Sequence, residues 1–299
     1  MKDNNCLTLG TAQLGMDYGI SNYHGKPGLS AAQSLVECAY KNGVRYFDTA
    51  QAYGNSEKIL GDSLINAGIN SKVKVVSKID PSVDITDFDA VKACVVASLN
   101  RLQVDRLWGL MLHREEQLNF WDSGVKETFC CLREAGFVTH FGASIYTPQM
   151  ALHALELNEF DIIQVPASLF DRRLARLGFF EQAAIHGVTV FVRSVFLQGL
   201  ALMSSTRVKA VLPFAVPAVE RLEDFCAKHD LNRHQFALRY AIAINPNAKV
   251  IVGAETADQI ELNCKVAQLG PLDSEISNQW DEIWPDDREK LINPSMWPT

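Results

Sequence analysis

Short apolar runs alternate along this chain with longer stretches in which apolar residues recur every three to four positions. The runs are rich in β-branched and aromatic residues, as buried strands are, and the longer stretches have the period of amphipathic helices. Residues 7–10 (LTLG) read as a first strand, and a long polar and aromatic connection follows through Tyr18, Tyr23, His24 and Pro27. Ser30 is placed to cap a helix that carries Leu35, Val36 and Ala39 on one side and Gly43 at its end. A second strand runs from Val44 to Asp48. Gly54 breaks the extended run, and Asn55 or Ser56 caps a helix reaching about Ala67. Further strands are expected over 72–79, 107–113, 137–144, 161–165, 188–193 and 249–252, the last ending in Gly253. Between them the pattern predicts helices from a Thr86 cap to Leu102, over 125–135, from Pro148 onward, over 173–186, twice within 213–245 with a break near Asp230, and over 256–267. An extra helix over 274–283 and a Pro- and Trp-containing tail complete the chain.

Strand–helix alternation means a parallel sheet with right-handed crossovers. Eight strands in 299 residues favour a closed (β/α)8 TIM barrel over an open doubly wound sheet. The open sheet normally places a glycine-rich phosphate loop after its first strand. Here the first strand ends LGTAQLG, with no G-x-G-x-x-G. No linker, low-complexity tract or charge block interrupts the pattern, so 1–299 is expected to be a single barrel domain with an extra C-terminal helix and tail.

Composition narrows the function classes. A hydrophobic content of 47% suits a sizeable core, and a net charge of -7 with no long basic run argues against a nucleic-acid surface. Seven scattered cysteines (6, 38, 94, 130, 131, 226, 264) show no C-x-x-C and read as reduced, packed thiols. The N-terminus lacks the apolar core of a signal peptide, and no apolar run approaches the ~20 residues that cross a bilayer. A cytoplasmic protein without membrane or nucleic-acid partners is therefore expected. Its oligomeric state is not readable, because the apolar helix faces are all needed to cover the barrel. No H-E-x-x-H or G-x-S-x-G occurs, so neither a metal site nor a serine nucleophile is expected.

In a barrel the chemistry sits at the carboxyl ends of the strands. Those ends carry Thr11, Asp48, Tyr53, Lys78, His113, Ser144, Gln164, Arg193, Ser194 and Gly253. Singly, each has a bland reading: Lys78 a solvated lysine, Asp48 a turn residue, Tyr53 a capping aromatic. Together, an acid, an ammonium, a phenol and an imidazole after three consecutive strands make a proton donor. The ammonium favours the phenolate, the carboxylate keeps the ammonium charged, and the imidazole positions the oxygen that is protonated. Protonating a carbonyl oxygen is half of a carbonyl reduction, and a hydride from a nicotinamide is the other half.

Several segments make the chain resemble the aldo-keto reductase family. They are FDTAQAYGNSE over 47–57, the strand ending at Lys78, Leu112-His113, Gly142-Ala143-Ser144, Gln164 within IIQV, RSVFLQGL over 193–200 and VIVGAETADQIELN over 250–263. The resemblance implies a (β/α)8 fold and reduction of aldehydes or ketones with NADPH, or with NADH. It implies Tyr53 as general acid, Lys78 paired with Asp48 as the group that sharpens it, and His113 as the residue orienting the carbonyl. It further implies cofactor contacts at Gly10 and Thr11, at Ser144 and Gln164 for the carboxamide, at Arg193, Ser194, Phe196 and Gly199 for the nicotinamide and pyrophosphate, and at Gly253, Glu255, Gln259 and Asn263 toward the adenosine.

The chain departs from the family pattern in three places. Ser144 is followed by Ile145 where the family often has Asn, and Arg193 stands where a tyrosine commonly stacks on the nicotinamide. Glu255 stands where NADPH users often have Arg or Lys, and a carboxylate better suits a ribose 2′-hydroxyl. Lys249 and Lys265 are the nearby alternatives for a 2′-phosphate. Tyr18, Tyr23, His24, Trp121, Trp284 and Trp297, with Gln13, Asp17 and Arg114, suit a sugar-like substrate face. The resemblance to a bacterial branch associated with surface polysaccharides, carried by residues 11–20, points the same way. The loops after strands four and seven look short, which predicts an open pocket. Two other function classes remain compatible with these residues: a cofactor-binding regulatory module like the potassium-channel β-subunits, and a sugar epimerase or eliminase with transient oxidation.

Overall fold

The structure, a computed structural model, describes residues 5–22, 25–245, 247–284 and 288–298. Tyr23 and His24 of the expected substrate face lie outside the described residues.

Eight parallel strands close into a barrel in sequential order. They are β1 (Leu7–Gly10), β2 (Tyr46–Asp48), β3 (Lys74–Lys78), β4 (Leu107–Leu112), β5 (Val138–Ser144), β6 (Ile162–Pro166), β7 (Thr189–Arg193) and β8 (Lys249–Gly253). Closure is made by β1 on β8, from Leu7 opposite Val250 to Gly10 opposite Gly253. The strands were legible because most of their residues are buried on both faces, so they read as short, largely apolar runs. Their outward residues, such as Leu9, Phe47 and Leu110, pack under the helices in one large core. The inward residues Tyr46, Val76, Met111, Ile162, Phe191 and Ile251 fill the barrel with Trp108 against them. The barrel is thus plugged below its carboxyl-terminal end, and that end faces open space.

The floor of the barrel corrects one expectation. The Lys74 ammonium donates to the Tyr46 hydroxyl at 3.0 Å. Lys249 lies over the same ring, 4.7 Å from its centroid, at the amino end of β8. It is therefore at the wrong end of its strand to meet a cofactor phosphate. Lys265 pairs with Glu261 on an exposed helix face.

Helix boundaries shift where a local cap outcompetes the expected one. The first long helix spans Leu29–Lys41 with Gly28 at its N-cap, so Ser30 sits inside it. Phe88–Leu102 is capped by Asp87, whose carboxylate accepts from the Ala90 amide, while Thr86 donates its hydroxyl to Asp84. The region 173–186 splits into Arg173–Arg176 and Phe179–Ile185, because Gly178 between them takes a left-handed conformation (φ 66°). The loops after β4 and β7 are not short. The first contains a 3-10 segment, Glu115–Phe120, and the second contains Leu197–Leu202 and the helix Ser205–Val211 before Val216–Lys228 begins. Polar residues hide the length of the first, and in the second the apolar residues of 195–203 lie in turns rather than in a regular period.

Two further elements match the pattern closely: Arg233–Ile244 follows a left-handed Asp230, and Ser274–Ile283 forms the extra helix. Among the described residues no helix is long and apolar enough to cross a membrane, and no group of three potential metal ligands converges.

Candidate active site

The junction after β2 is held by hydroxyls rather than by apolar contacts. Thr11 donates its hydroxyl to the Asp48 carbonyl at 2.9 Å, and Ser56 donates to the Thr11 carbonyl at 2.7 Å. Thr49 lies 3.1 Å from the same Ser56 hydroxyl. All of these side chains are buried, so each needs its partner. The network ties the end of β1 to the start of the helix Ser56–Asn66 and leaves residues 50–55 as a tight turn presenting Tyr53. Glu57, also buried, accepts from Ser77 at 2.6 Å and from Arg101 at 2.8 Å, fixing that helix to β3 and to Phe88–Leu102.

Lys78, fully buried at the end of β3, donates to Asp48 Oδ1 at 2.7 Å and to the Thr49 carbonyl at 3.0 Å. Gln164, in the middle of β6, donates to the same Asp48 oxygen at 2.7 Å from across the barrel. The Lys78 ammonium lies 5.1 Å from the centroid of the Tyr53 ring. Burial alone would push the lysine pKa down, but the Asp48 carboxylate and Tyr53 outweigh it and hold the pKa above the ordinary value. The ammonium is therefore a permanent charge beside the phenol.

His113 follows β4 and meets Tyr53 edge to face, with ring centroids 5.8 Å apart. Its pKa is lowered to about 4, first by burial and then by the charges of Lys78 and Arg193. Its Nδ1 is buried and has no hydrogen-bond partner among the described residues. A neutral imidazole with an unused ring nitrogen beside a phenol is equipped to hold a third polar atom.

Asp48, Tyr53 and Gln164 form the inner end of a cavity of about 480 Å³, and Lys78 and His113 touch Asp48 and Tyr53 without lining it. From Asp48, Tyr53 and Gln164 it runs past Arg193 and Ser194 to Gly253, Glu255, Gln259 and Asn263. Its size is that of a cofactor or ligand site. Near its far end the helix Ala257–Gln268 begins, capped by Thr256, whose side chain accepts from the Gln259 amide. Its middle is the β7 loop, where Leu197, Gln198 and Gly199 all take positive φ. At Gly199 a Cβ would fall 1.9 Å from the Ser21 hydroxyl, so the first loop and the β7 loop are packed directly on one another there.

A model of the Aldo/keto reductase family matches residues 6–285. The chain belongs to that family. Among curated relatives, an NADH-specific methylglyoxal reductase of Escherichia coli (strain K12) is 23% identical over 79% of this chain and 82% of its own length. A probable voltage-gated potassium channel subunit beta of Arabidopsis thaliana is 24% identical over 81% and 83%. Among solved structures, the holo form of an aldo-keto reductase from Bacillus halodurans superposes with a TM-score of 0.73 at 22% identity, covering 92% of this chain and 91% of that one. A family of oxidoreductases acting on carbonyls thus accounts for both the barrel and the residues at its mouth.

As an aldo-keto reductase fold, the chain brings most of the expected residues together. Asp48, Tyr53, Lys78 and His113 converge, and Gly10, Thr11, Gln164, Arg193, Ser194, Phe196, Gly199, Gly253, Glu255, Gln259 and Asn263 all line the one cavity. Ser144 does not line it. Its hydroxyl sits behind Gln164, 3.5 Å from that side chain's oxygen. The tryptophans expected on a sugar face are buried: Trp121 packs against Phe129, Phe141 and Phe160, and Trp284 stacks on Trp280. Of that expected face, Gln13 and Tyr18 do line the cavity. Sequence reasoning missed Gln198, Asn232, Arg233 and His234 on the cavity wall. Asn232 carries a readable helix-cap signal, accepting from His234 and Gln235, but nothing in the sequence aims that cap at the cavity.

Proposed function

We propose that this protein reduces an aldehyde or ketone to an alcohol at the inner end of the cavity, with NADPH as the hydride source and Tyr53 as the proton donor. The observation that carries the proposal is the buried Lys78 ammonium, neutralised by Asp48 and set 5.1 Å from the Tyr53 ring. A phenol is a weak acid near neutrality, and a fixed cation beside it stabilises the phenolate left when it gives up its proton. Asp48 takes no part in the transfer. It keeps Lys78 charged and shares its oxygen with Gln164, which anchors that amide. His113, neutral above pH 4, has a ring N–H to offer the carbonyl oxygen, aligning it with the Tyr53 hydroxyl. When bound, a nicotinamide supplies the hydride that the carbonyl carbon needs.

The cavity suits such a group. Gln164 offers an amide at the inner end, Arg193 and Ser194 offer donors along the wall, and a capped helix N-terminus stands near the far end. NADPH is taken from the family's general use of it; Arg233, on the wall beside Asn232, is already paired with Glu223 at 3.2 Å. A second reading, NADH, is favoured by Glu255 on the same wall, since a carboxylate suits a ribose hydroxyl rather than a phosphate. Lys249 and Lys265, both engaged elsewhere, do not offset it. The Arabidopsis channel-subunit relative also keeps a cofactor-binding regulatory role in view, and the same experiment separates it.

NADPH and NADH are titrated separately while nicotinamide fluorescence is followed, and turnover is assayed on a panel of aldehydes, ketones and oxidised sugars. Tight binding with turnover is expected. Replacement of Tyr53 by Phe should lower kcat by about a thousandfold while cofactor affinity stays within roughly twofold. Undiminished turnover in that variant would remove Tyr53 from the chemistry. Tight binding without turnover on any carbonyl would favour the regulatory role.

A further inference from the structure

The charges on the cavity wall are answered unequally. Asp48 is paired with Lys78 at 2.7 Å, and Arg233 with Glu223 at 3.2 Å. Arg193, the last residue of β7, has no carboxylate within ion-pair distance among the described residues. Its guanidinium has five donors, yet its polar contacts are long: 3.4 Å to the Ser194 hydroxyl and 3.5 Å to the Ile145 carbonyl. Its third neighbour is the Tyr146 ring, 5.8 Å from the guanidinium carbon to the centroid, which steadies the cation without neutralising it. The group is half-buried and lines the same inner cavity as Tyr53 and Gln164. Its field reaches the catalytic end, where it is one of the charges opposing protonation of His113.

This charge bears on any redox cofactor used with Tyr53, a step that rests on the carbonyl-reductase reading above. A carbonyl protonated by Tyr53 lies at the inner end, so the ring that delivers hydride lies there too, beside Arg193. The reduced ring is neutral and the oxidised ring is a cation. We propose that Arg193 makes the site discriminate between the two redox forms, holding the reduced dinucleotide in preference to the oxidised one. At a separation of ~6 Å and an effective dielectric of ~40, one fixed positive charge changes the ratio of the two affinities by about tenfold. The attraction of Arg193 to the pyrophosphate is common to both forms and drops out of that ratio. The cost falls on the hydride step, in which the ring acquires positive charge, and the gain falls on release of the oxidised product. The protein is thereby suited to working reductively where the oxidised dinucleotide is abundant.

The test is binding, not turnover. Dissociation constants for NADPH, NADP+, NADH and NAD+ are measured by fluorescence and calorimetry on the native chain, on Arg193→Gln and on Arg193→Lys, with thermal melts to establish that each is folded. The ratio of oxidised to reduced dissociation constants should fall about tenfold in Arg193→Gln, chiefly because the oxidised form binds more tightly, and should be largely kept in Arg193→Lys. Equal weakening of both forms in Arg193→Gln would overturn the proposal and assign Arg193 to the phosphates. An unchanged ratio in all three proteins would overturn it as well. A folded native chain that binds none of the four dinucleotides would overturn the carbonyl-reductase reading and this inference with it.

Discussion

His113 shows how much a single residue's position decides. An exposed imidazole titrates near 6.5, but here burial, Lys78 and Arg193 bring the pKa to about 4. Between those values the unfolded chain takes up a proton that the folded chain refuses. The unfolded state therefore binds more protons, and the folded state loses stability as pH falls. The contribution of His113 is intact above about 6.5 and is lost progressively as pH drops through about 4. Two measurements check this. The His113 ring resonances should titrate with a midpoint near 4, and kcat/KM for reduction should show no acidic limb between pH 6 and 7. A midpoint near 6.5 would mean that the imidazole is solvated and charged in the acidic range, and it would lose the role of neutral donor. His113 was legible in the sequence as an imidazole at a strand end. Its neutrality was not, because that depends first on burial and then on Lys78 and Arg193, which are distant in sequence and meet the imidazole only when β3, β4 and β7 share one barrel.

At the scale of elements, the chemistry depends on how the turn after β2 seats against the short helix Ala12–Gly15. A Cβ on Gly15 would fall 1.8 Å from the Tyr53 carbonyl oxygen, and one on Gly54 would fall 2.5 Å from the Gly15 carbonyl oxygen. Only backbone fits between these two segments. In Gly15→Ala the Tyr53 turn must move away, since backbone cannot yield as a flexible side chain does. The expected outcome is a folded protein of lowered melting temperature, a kcat reduced by about a hundredfold, and a cofactor affinity changed much less, because misplacement by ~1 Å costs about that much in rate. Full activity in this variant would mean that the turn is positioned by the Thr11–Ser56 hydroxyl network alone. The sequence shows the turn itself plainly, since Asp48, Tyr53, Gly54 and Ser56 fall within nine positions. It does not show the seat. Gly15 reads as one more loop glycine until β1 and β2 lie side by side, with Gly10 opposite Asp48. The β7 loop fails to announce itself for a related reason. Its turns come from Ser194, Leu197 and Gln198 at positive φ, residue types that seldom adopt that conformation and so carry no turn signal.

The whole molecule contains a second core that connects its C-terminal segment to the cavity. Trp280, Trp284, Leu291, Ile292 and Trp297 share one apolar cluster with Leu197 and Leu200 of the β7 loop. Trp280 donates its indole N–H to the Leu169 carbonyl at 2.8 Å, Trp284 donates to the Phe170 carbonyl at 3.2 Å, and Arg172 pairs with Asp281. The loops after β6 and β7 are thus clamped from outside by the helix Ser274–Ile283 together with Trp284 and the short helix Glu289–Ile292. From the sequence, Trp284 and Trp297 suggested a substrate face, because a tryptophan near a chain end gives no sign of which element it will cover. The barrel strands could be read because each carries its own apolar run, whereas this cluster has apolar faces only in relation to loops far away in sequence. Its position predicts its role. In Trp280→Ala a fully buried ring is lost, and a cavity of that kind costs ~3–5 kcal/mol. The loss should not be spread evenly. β1 to β4 keep their core, while the β7 loop, which lines the cofactor cavity, loses its backing. Cofactor dissociation constants should therefore rise by about tenfold or more at a temperature where the variant is still folded, and kcat at saturating cofactor should stay within roughly threefold, because Asp48, Tyr53, Lys78 and His113 stand on the other half of the barrel. Trp280→Phe, which keeps most of the apolar volume and loses the hydrogen bond to Leu169, should fall between. A drop in kcat with unchanged cofactor affinity would show that the clamp acts on the catalytic half and not on the β7 loop.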